Sequence, residues 1–267
     1  MNIDFSEYFE KDDDTYKEKG ITIYQFKNEL LDNFISDFVV EFRRAYISDN
    51  RLKNEIDNQL WDRKRAIESR LPTKPNLKSG EFAEILLFCL AQCFICPDVT
   101  ITPIKWRWKE NQDQPCHLTD IILAKRNDEE EFLPDDYIFL IESKAAATPL
   151  GPNSANSVVN DGITDLKKDL YSRTAKTITY LITHFSNAGK IETAKKVRRF
   201  EFSVEYPYKR IFNSAIVVDA ESVKKHIDNI SEDNLIFVRD NNISLLVVPI
   251  ARMKTVYERL YADVTES

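Results

Sequence analysis

Two apolar stretches of the sequence each carry charged residues of a kind that such stretches rarely contain. Asp120 precedes the apolar run 121–123, and Glu142 and Lys144 interrupt the run that begins at residue 137. Charged side chains in apolar strands are costly unless they are paired or bind a metal ion. Because side chains alternate along a strand, Glu142 and Lys144 share one face. The residue types therefore indicate a charged site built on two strands.

A hairpin across the acidic loop 126–136 would bring the two stretches together. The register in which Lys125 faces Tyr137 also places Asp120 opposite Glu142, and directly opposed Cβ atoms lie about 4.5–5.5 Å apart. Two carboxylates at that separation repel each other, and a divalent cation relieves the repulsion. We therefore predict that these carboxylates hold Mg²⁺ (or Mn²⁺).

Carboxylates and a lysine together are the groups that metal-assisted phosphodiester hydrolysis requires. The metal ion lowers the pKa of a bound water and neutralises charge on the phosphate. Lys144 could help to deprotonate that water, or act as a point charge on the phosphate oxygens. Asp120, Glu142 and Lys144 are accordingly the predicted catalytic residues.

The elements around the hairpin predict an α/β fold with a mixed sheet flanked by helices. A segment that is apolar nearly all round, 81–96, is typical of a buried helix. The predicted strands are 99–108, 117–125, 137–145, 211–218 and 243–250, and further helices are predicted through 171, over 174–188 and over 222–229.

The N-terminal part of the chain has a different pattern. Apolar residues at helical spacing predict a helix over 24–46, a more polar helix follows over 50–69, and a proline-containing linker spans 71–76. Residues 1–76 are thus predicted to form a helical N-terminal extension, and 77–267 the second domain. The phenylalanines of the first helix (Phe34, Phe38 and Phe42) share a face that either docks a partner or packs on the chain's own core.

Composition excludes several functions. The five glycines are scattered, so neither a Rossmann fingerprint nor a P-loop can be written in this sequence. The net charge of −7 argues against a free-standing nonspecific DNA-binding protein. Only the segment 163–210 is basic, with eleven Lys/Arg against five acids, and within it Lys167, Lys168 and Arg173 are predicted to contact DNA phosphates.

The four cysteines are predicted to be free thiols in a reducing cytoplasm, because the first residues lack the basic and apolar regions of a secretory signal. Cys89, Cys93 and Cys96 fall on one helical face. We interpret them as small buried hydrophobic residues rather than as zinc or iron–sulfur ligands.

Asp120 followed by Glu142-Ser143-Lys144 resembles the motif of the PD-(D/E)XK nuclease superfamily. The resemblance implies a restriction-endonuclease-like core, with metal held by Asp120, Glu142, the Ser143 carbonyl and a glutamate of the preceding helix. Glu84, four residues past Gly80, is the preferred helix glutamate, and Glu81 is the alternative. The proline that commonly precedes the aspartate is missing here.

Residues from about 78 to 220 more narrowly resemble the nuclease subunit of Hachiman antiphage defence systems (HamA). The resemblance rests on 80–81, 118–120, 142–144 and 165–169. It implies a DNA substrate, a bacterial cytoplasmic location, and a superfamily 2 helicase partner (HamB-like) that restrains the nuclease. The alternatives are a stand-alone restriction- or repair-type endonuclease, and a catalytically inactive subunit that binds DNA or a partner.

Overall fold

The computed structural model describes residues 3–116, 118–128, 130–151 and 154–267. Their fold is α/β, with one six-stranded mixed sheet between two layers of helices. The strands are β1 (Phe9–Tyr16), β2 (Ile21–Phe26), β3 (Ile121–Lys125), β4 (Tyr137–Ala146), β5 (Lys209–Asp219) and β6 (Ser244–Ile250). The helices are α1 (Phe5–Tyr8), α2 (Leu31–Tyr46), α3 (Asp49–Asp57), α4 (Arg63–Glu68), α5 (Pro75–Leu90), α6 (Val158–Lys168), α7 (Thr174–Asn187), α8 (Ile191–Arg198), α9 (Val223–Asp228), α10 (Glu232–Asp240) and α11 (Met253–Asp263). The predicted fold class, an α/β sheet flanked by helices as in the restriction endonucleases, is confirmed.

The strand order is β1-β2-β6-β5-β4-β3. The four central strands β2, β6, β5 and β4 are parallel to one another, and β1 and β3 are antiparallel strands at the two edges. Alternate residues of β4 pack on opposite layers: Phe139 and Ile141 lie in the core beneath α2, α5 and α11, whereas Ile138 and Leu140 pack on α7 and α8. Both faces of the sheet are therefore buried, as its long apolar strands require.

The predicted hairpin register is confirmed. Lys125 pairs with Tyr137, and the ladder continues to Ile121 opposite Ile141. Asp120 is the residue immediately before β3, so the next step of the same register places it opposite Glu142.

The N-terminal segment differs from its prediction because it is not only helical. The helix expected from Tyr24 begins at Leu31, since Ile21–Phe26 form a strand that pairs with both β1 and β6. The β-branched and aromatic residues of this run favour a strand. The expected helix over 50–69 is two helices, and the second starts where the Asp62 side chain caps the Arg65 N–H at 2.8 Å.

The phenylalanine face of α2 packs on the chain's own core. Phe34, Phe38 and Phe42 are fully buried, in the same core cluster as residues of α5 and α11. The alternative that this face docks a partner is therefore wrong. The boundary between residues 76 and 77 stays a prediction, although the hydrophobic core is continuous across it.

The predicted strand 99–108 is also wrong. Ile101 alone bridges to Ala124, and Lys105–Trp108 form a 3₁₀ turn. Pro103 lies between the two features and cannot donate to a strand ladder, which limits the pairing to a single bridge. The expected start of β3 at His117 lies outside the described residues.

Candidate active site

The predicted carboxylates of Asp120 and Glu142 lie together at the start of β3, beside the middle of β4. The Ser143 backbone N–H donates to Asp120 Oδ2 at 2.9 Å, which ties the residue before β3 to the middle of β4. Glu142 is only 3% exposed, whereas Asp120 is half-buried. The hairpin therefore holds one buried and one more accessible carboxylate side by side.

Glu142 is bonded by two cations from different elements. Lys144 Nζ donates to Oε1 at 3.0 Å, and Arg173 Nη1 donates to Oε2 at 3.0 Å. Burial raises the pKa of Glu142 to about 8, and the Asp120 carboxylate adds to that effect. A carboxyl group whose pKa is shifted this far toward neutral pH by its surroundings is typical of a functional site.

Lys144 is held between two carboxylates. Its Nζ lies 3.0 Å from Glu142 Oε1 and 2.7 Å from Asp165 Oδ2, a residue of α6. Burial alone would lower the pKa of Lys144, but the hydrogen bond to Asp165 and the charge of Glu142 raise it above its usual value. The amine is therefore a cation at neutral pH, which favours the point-charge role over that of a base.

The helix glutamates of α5 occupy different surroundings. Glu84 accepts a hydrogen bond from Trp106 Nε1 at 3.0 Å, and burial together with the nearby Asp120 carboxylate raises its pKa well above the usual value. Glu81 is buried and forms an ion pair with Lys109. Of the two glutamates, Glu84 is thus the one whose pKa is raised by the Asp120 charge.

A short π-helical turn, Asp169–Arg173, joins α6 to α7 and completes the site. Turns of this kind are frequent at functional sites. Asp169 is fully buried, accepts from Thr119 Oγ1 at 2.7 Å, and lies 3.5 Å from Arg173 Nε. Burial raises the pKa of Asp169 despite the hydrogen bond from Thr119. This one turn therefore contacts both Thr119, the residue before Asp120, and the carboxylate of Glu142.

Sequence reasoning did not assign a role to Asp165 or Asp169. Both lie in the stretch 165–169, which was noted only as part of a resemblance. One feature of the sequence does indicate a role for Asp169. It is an acid on the apolar side of a predicted helix, and burying it there is costly unless the side chain has a partner.

The donors of the site suit a hard cation. Carboxylate and carbonyl oxygens are the ligands of Mg²⁺, which usually takes one or two carboxylates and completes its shell with water and phosphate. No three His, Cys, Asp or Glu side chains converge on a metal position among the described residues. Asp169 adds a buried carboxylate beside those of Asp120 and Glu142, and its hydrogen bond with Glu142 lowers its pKa against the raising effect of burial.

The three predicted DNA contacts do not form one group. Lys167 donates to Asn234 Oδ1 at 3.3 Å and lies over the Phe237 ring, on the α10 side. Lys168 pairs with Asp165 at 2.5 Å, and Arg173 bonds Glu142. Lys168 and Arg173 line a cleft of about 480 Å³ next to the site, whereas Lys167 does not line it.

The cysteines are free thiols, as predicted. Burial raises the pKa of Cys89, Cys93, Cys96 and Cys116, so each favours the neutral thiol that packs like a small hydrophobic residue.

Within the described ranges, no helix has both the length and the apolar character needed to cross a membrane. A search of curated proteins finds no match to this sequence. The model of the HamA family matches residues 3–264 of the 267, a far larger part of the chain than the short motifs cover. The chain therefore belongs to the HamA family and is a component of a Hachiman antiphage defence system.

Proposed function

We propose that this protein is a Mg²⁺-dependent (or Mn²⁺-dependent) DNA nuclease, the effector of its defence system, and that a superfamily 2 helicase controls it. One observation carries the nuclease proposal: the β3–β4 register places Asp120 against Glu142, with Lys144 on the same strand face. Metal-binding carboxylates beside a fixed cation suit metal-assisted phosphodiester hydrolysis.

Asp120, Glu142, the Ser143 carbonyl and Glu84 of α5 would hold the metal. The metal, when bound, supplies a water of lowered pKa and neutralises charge on the phosphate. Lys144 remains protonated and is oriented by Asp165, so it can stabilise negative charge that develops on the phosphate oxygens. Because Arg173 reaches both Glu142 and the adjacent cleft, it can contact a phosphate as well as the carboxylate.

Control by a helicase is supported by the family and by the composition. The sequence has no P-loop, so ATP-driven DNA loading must come from another protein. The net charge of −7 repels a polyanion at long range. We infer that the free chain binds DNA weakly at physiological salt and acts when its partner presents DNA.

The test is cleavage of supercoiled plasmid by the purified chain, with and without the helicase subunit, in Mg²⁺ or in EDTA. Glu142→Ala and Lys144→Ala should each lower the rate by about two to four orders of magnitude, since one loses a metal ligand and the other a fixed charge. Glu258→Ala, an exposed glutamate of α11, is the matched control and should cleave normally. Wild-type cleavage by both site variants would refute the assignment, and no cleavage under any condition would favour an inactive binding subunit.

A further inference from the structure

Cationic and aromatic side chains continue from the candidate active site along one face of α7. Arg173 ends the π-turn, and Lys176, Tyr180 and His184 of α7 follow it at intervals of three or four residues, the spacing that aligns side chains on a helix surface. At 1.5 Å per residue, Arg173 and His184 are about 16 Å apart along the helix axis. The row is long enough to contact several consecutive nucleotides.

Three adjoining clefts lie along this row. Their volumes are about 480, 190 and 220 Å³. Cys116 lines both the first and the second cleft, and Trp108 lines both the second and the third, so the three clefts are contiguous, and together we call them the groove. Arg173 and Lys176 line the first cleft, Tyr180 the second, and His184, Arg107 and Lys190 the third.

The groove is basic although the chain is acidic. Of the described residues that line the three clefts, eight are Lys or Arg and one, Glu110, is an acid. Four of the eight already pair with carboxylates: Arg51, Lys109, Lys168 and Arg173. Lys176 and Lys190 are exposed and form no ion pair with any described residue. Arg107 donates Nε and Nη2 to the Arg44 carbonyl, at 2.7 and 2.5 Å, rather than to a carboxylate. Lys176 and Lys190 are therefore the cations of the groove that are available to bind phosphates.

Aromatic rings lie between the cations. Trp108 stacks on His184 with ring centroids 3.8 Å apart, and Tyr180 lies 6.1 Å from Trp108. All three side chains are only partly buried. Single-stranded nucleic acids bind to this combination, a basic groove that follows the backbone and aromatic rings on which bases stack, whereas a duplex keeps its base faces covered.

We propose that this groove binds a single strand of DNA and leads it to the Asp120–Glu142 site. The inference rests on the proposed nuclease function and specifies the form of its substrate. Base stacking makes the groove tolerant of sequence, because every base has an aromatic face.

The experiment measures binding of a fluorescent oligo-dT and of a blunt duplex of equal length, by anisotropy, with the full chain in EDTA at about 50 mM salt. Lys176→Gln/Lys190→Gln should weaken strand binding by about tenfold or more. The slope of log affinity against log salt should fall by about 1.4, since each lost single-strand phosphate contact accounts for about 0.7. The control Lys17→Gln/Lys254→Gln changes the net charge equally at exposed lysines outside the three clefts, and should bind like the wild type.

A second pair of variants tests the stacking. Tyr180→Leu should weaken strand binding by about five- to one-hundredfold, while Tyr180→Phe, which keeps the ring, should not. Equal affinity for strand and duplex, no measurable strand binding at this salt, or equal weakening by the control lysine pair would overturn the proposal.

Failure of this inference is distinguishable from failure of the proposed function. Binding in EDTA requires no cleavage, so Glu142→Ala should retain strand binding even though it loses nuclease activity. Strand binding without any nuclease activity would refute the proposed function and leave the groove intact. Metal-dependent cleavage without preferential strand binding would support the proposed function and refute the single-strand groove.

Discussion

Gly162 lies where α6 packs on β4 and β5, close to the side chains of Lys144 and Ser214. A Cβ atom built on Gly162 would lie 2.5 Å from Ser214 Oγ and 3.5 Å from Lys144 Cγ. The first distance is too short for a real contact, whereas the second is ordinary. Gly162→Ala therefore forces either α6 away from the sheet or the Ser214 hydroxyl into another rotamer.

The change in the free energy of unfolding caused by Gly162→Ala follows from two opposing effects. Overpacking of a buried contact costs about 1–3 kcal/mol, and Ala in place of Gly inside a helix contributes about 1 kcal/mol. The free energy of unfolding of Gly162→Ala should thus fall by about 0–2 kcal/mol. Ser214→Ala removes the clashing oxygen, which is buried and has no hydrogen-bond partner among the described residues, so this change alone should be neutral or slightly stabilising. In the Ser214→Ala background, Gly162→Ala should become stabilising by about 0.5–1 kcal/mol.

Urea unfolding of the four proteins of this double-mutant cycle, with plasmid cleavage measured in parallel, checks the reasoning. We expect a coupling free energy of about 1–3 kcal/mol and lower nuclease activity in Gly162→Ala alone, because a displaced α6 also moves Asp165 relative to Lys144. An identical loss of stability in both backgrounds would show that the Ser214 contact is not what requires glycine.

Three further predictions concern charged groups. Asp120→Asn should melt in EDTA at or above the wild-type temperature, since it removes the repulsion that raises the pKa of Glu142. The variant should also lose the stabilisation that Mg²⁺ gives the wild type. A large drop in its melting temperature in EDTA would instead indicate that Asp120 belongs to a structural ion pair. Arg199→Ala should lower the free energy of unfolding in urea by about 3–5 kcal/mol, because its Nε lies 2.8 Å from Asp136 Oδ2 with both side chains fully buried, and a loss below about 1 kcal/mol would contradict this reasoning. Burial lowers the pKa of His226 below 6.5, so the contribution of its neutral form to stability is complete above pH 6.5 and is lost as the pH falls toward the lowered value. His226→Gln should therefore flatten the dependence of the unfolding free energy on pH below 6.5, and unchanged curvature would count against this assignment.

The parts of the fold that periodicity determines were predictable from the sequence. The β3–β4 register followed from matching two apolar runs across the acidic loop, and the buried helix around Glu84 followed from its continuous apolar composition. The elements that depend on distant pairing were not. Ile21–Phe26 becomes a strand because β6 lies beside it, and a local pattern does not contain that partner.

The site divides in the same way. Charges inside apolar strands indicated Asp120, Glu142 and Lys144, because the cost of burying them is local and visible. Arg173 was expected to contact DNA phosphates, but it lies 31 residues from Glu142 in the chain and bonds that carboxylate from the end of the π-turn. A contact between residues so far apart in the chain depends on the tertiary fold, and residue types alone do not specify it.

The contacts of the site form an alternating series of charges across three elements. From Glu142 on β4, one branch passes through Lys144 to Asp165 on α6, and the other passes through Arg173 to Asp169 on the π-turn. Charge-assisted hydrogen bonds depend steeply on distance and angle, so none of these groups can move without altering the surroundings of the next. The position of α6 against the sheet, which Gly162 permits, is therefore coupled to Lys144 by packing as well as by charge.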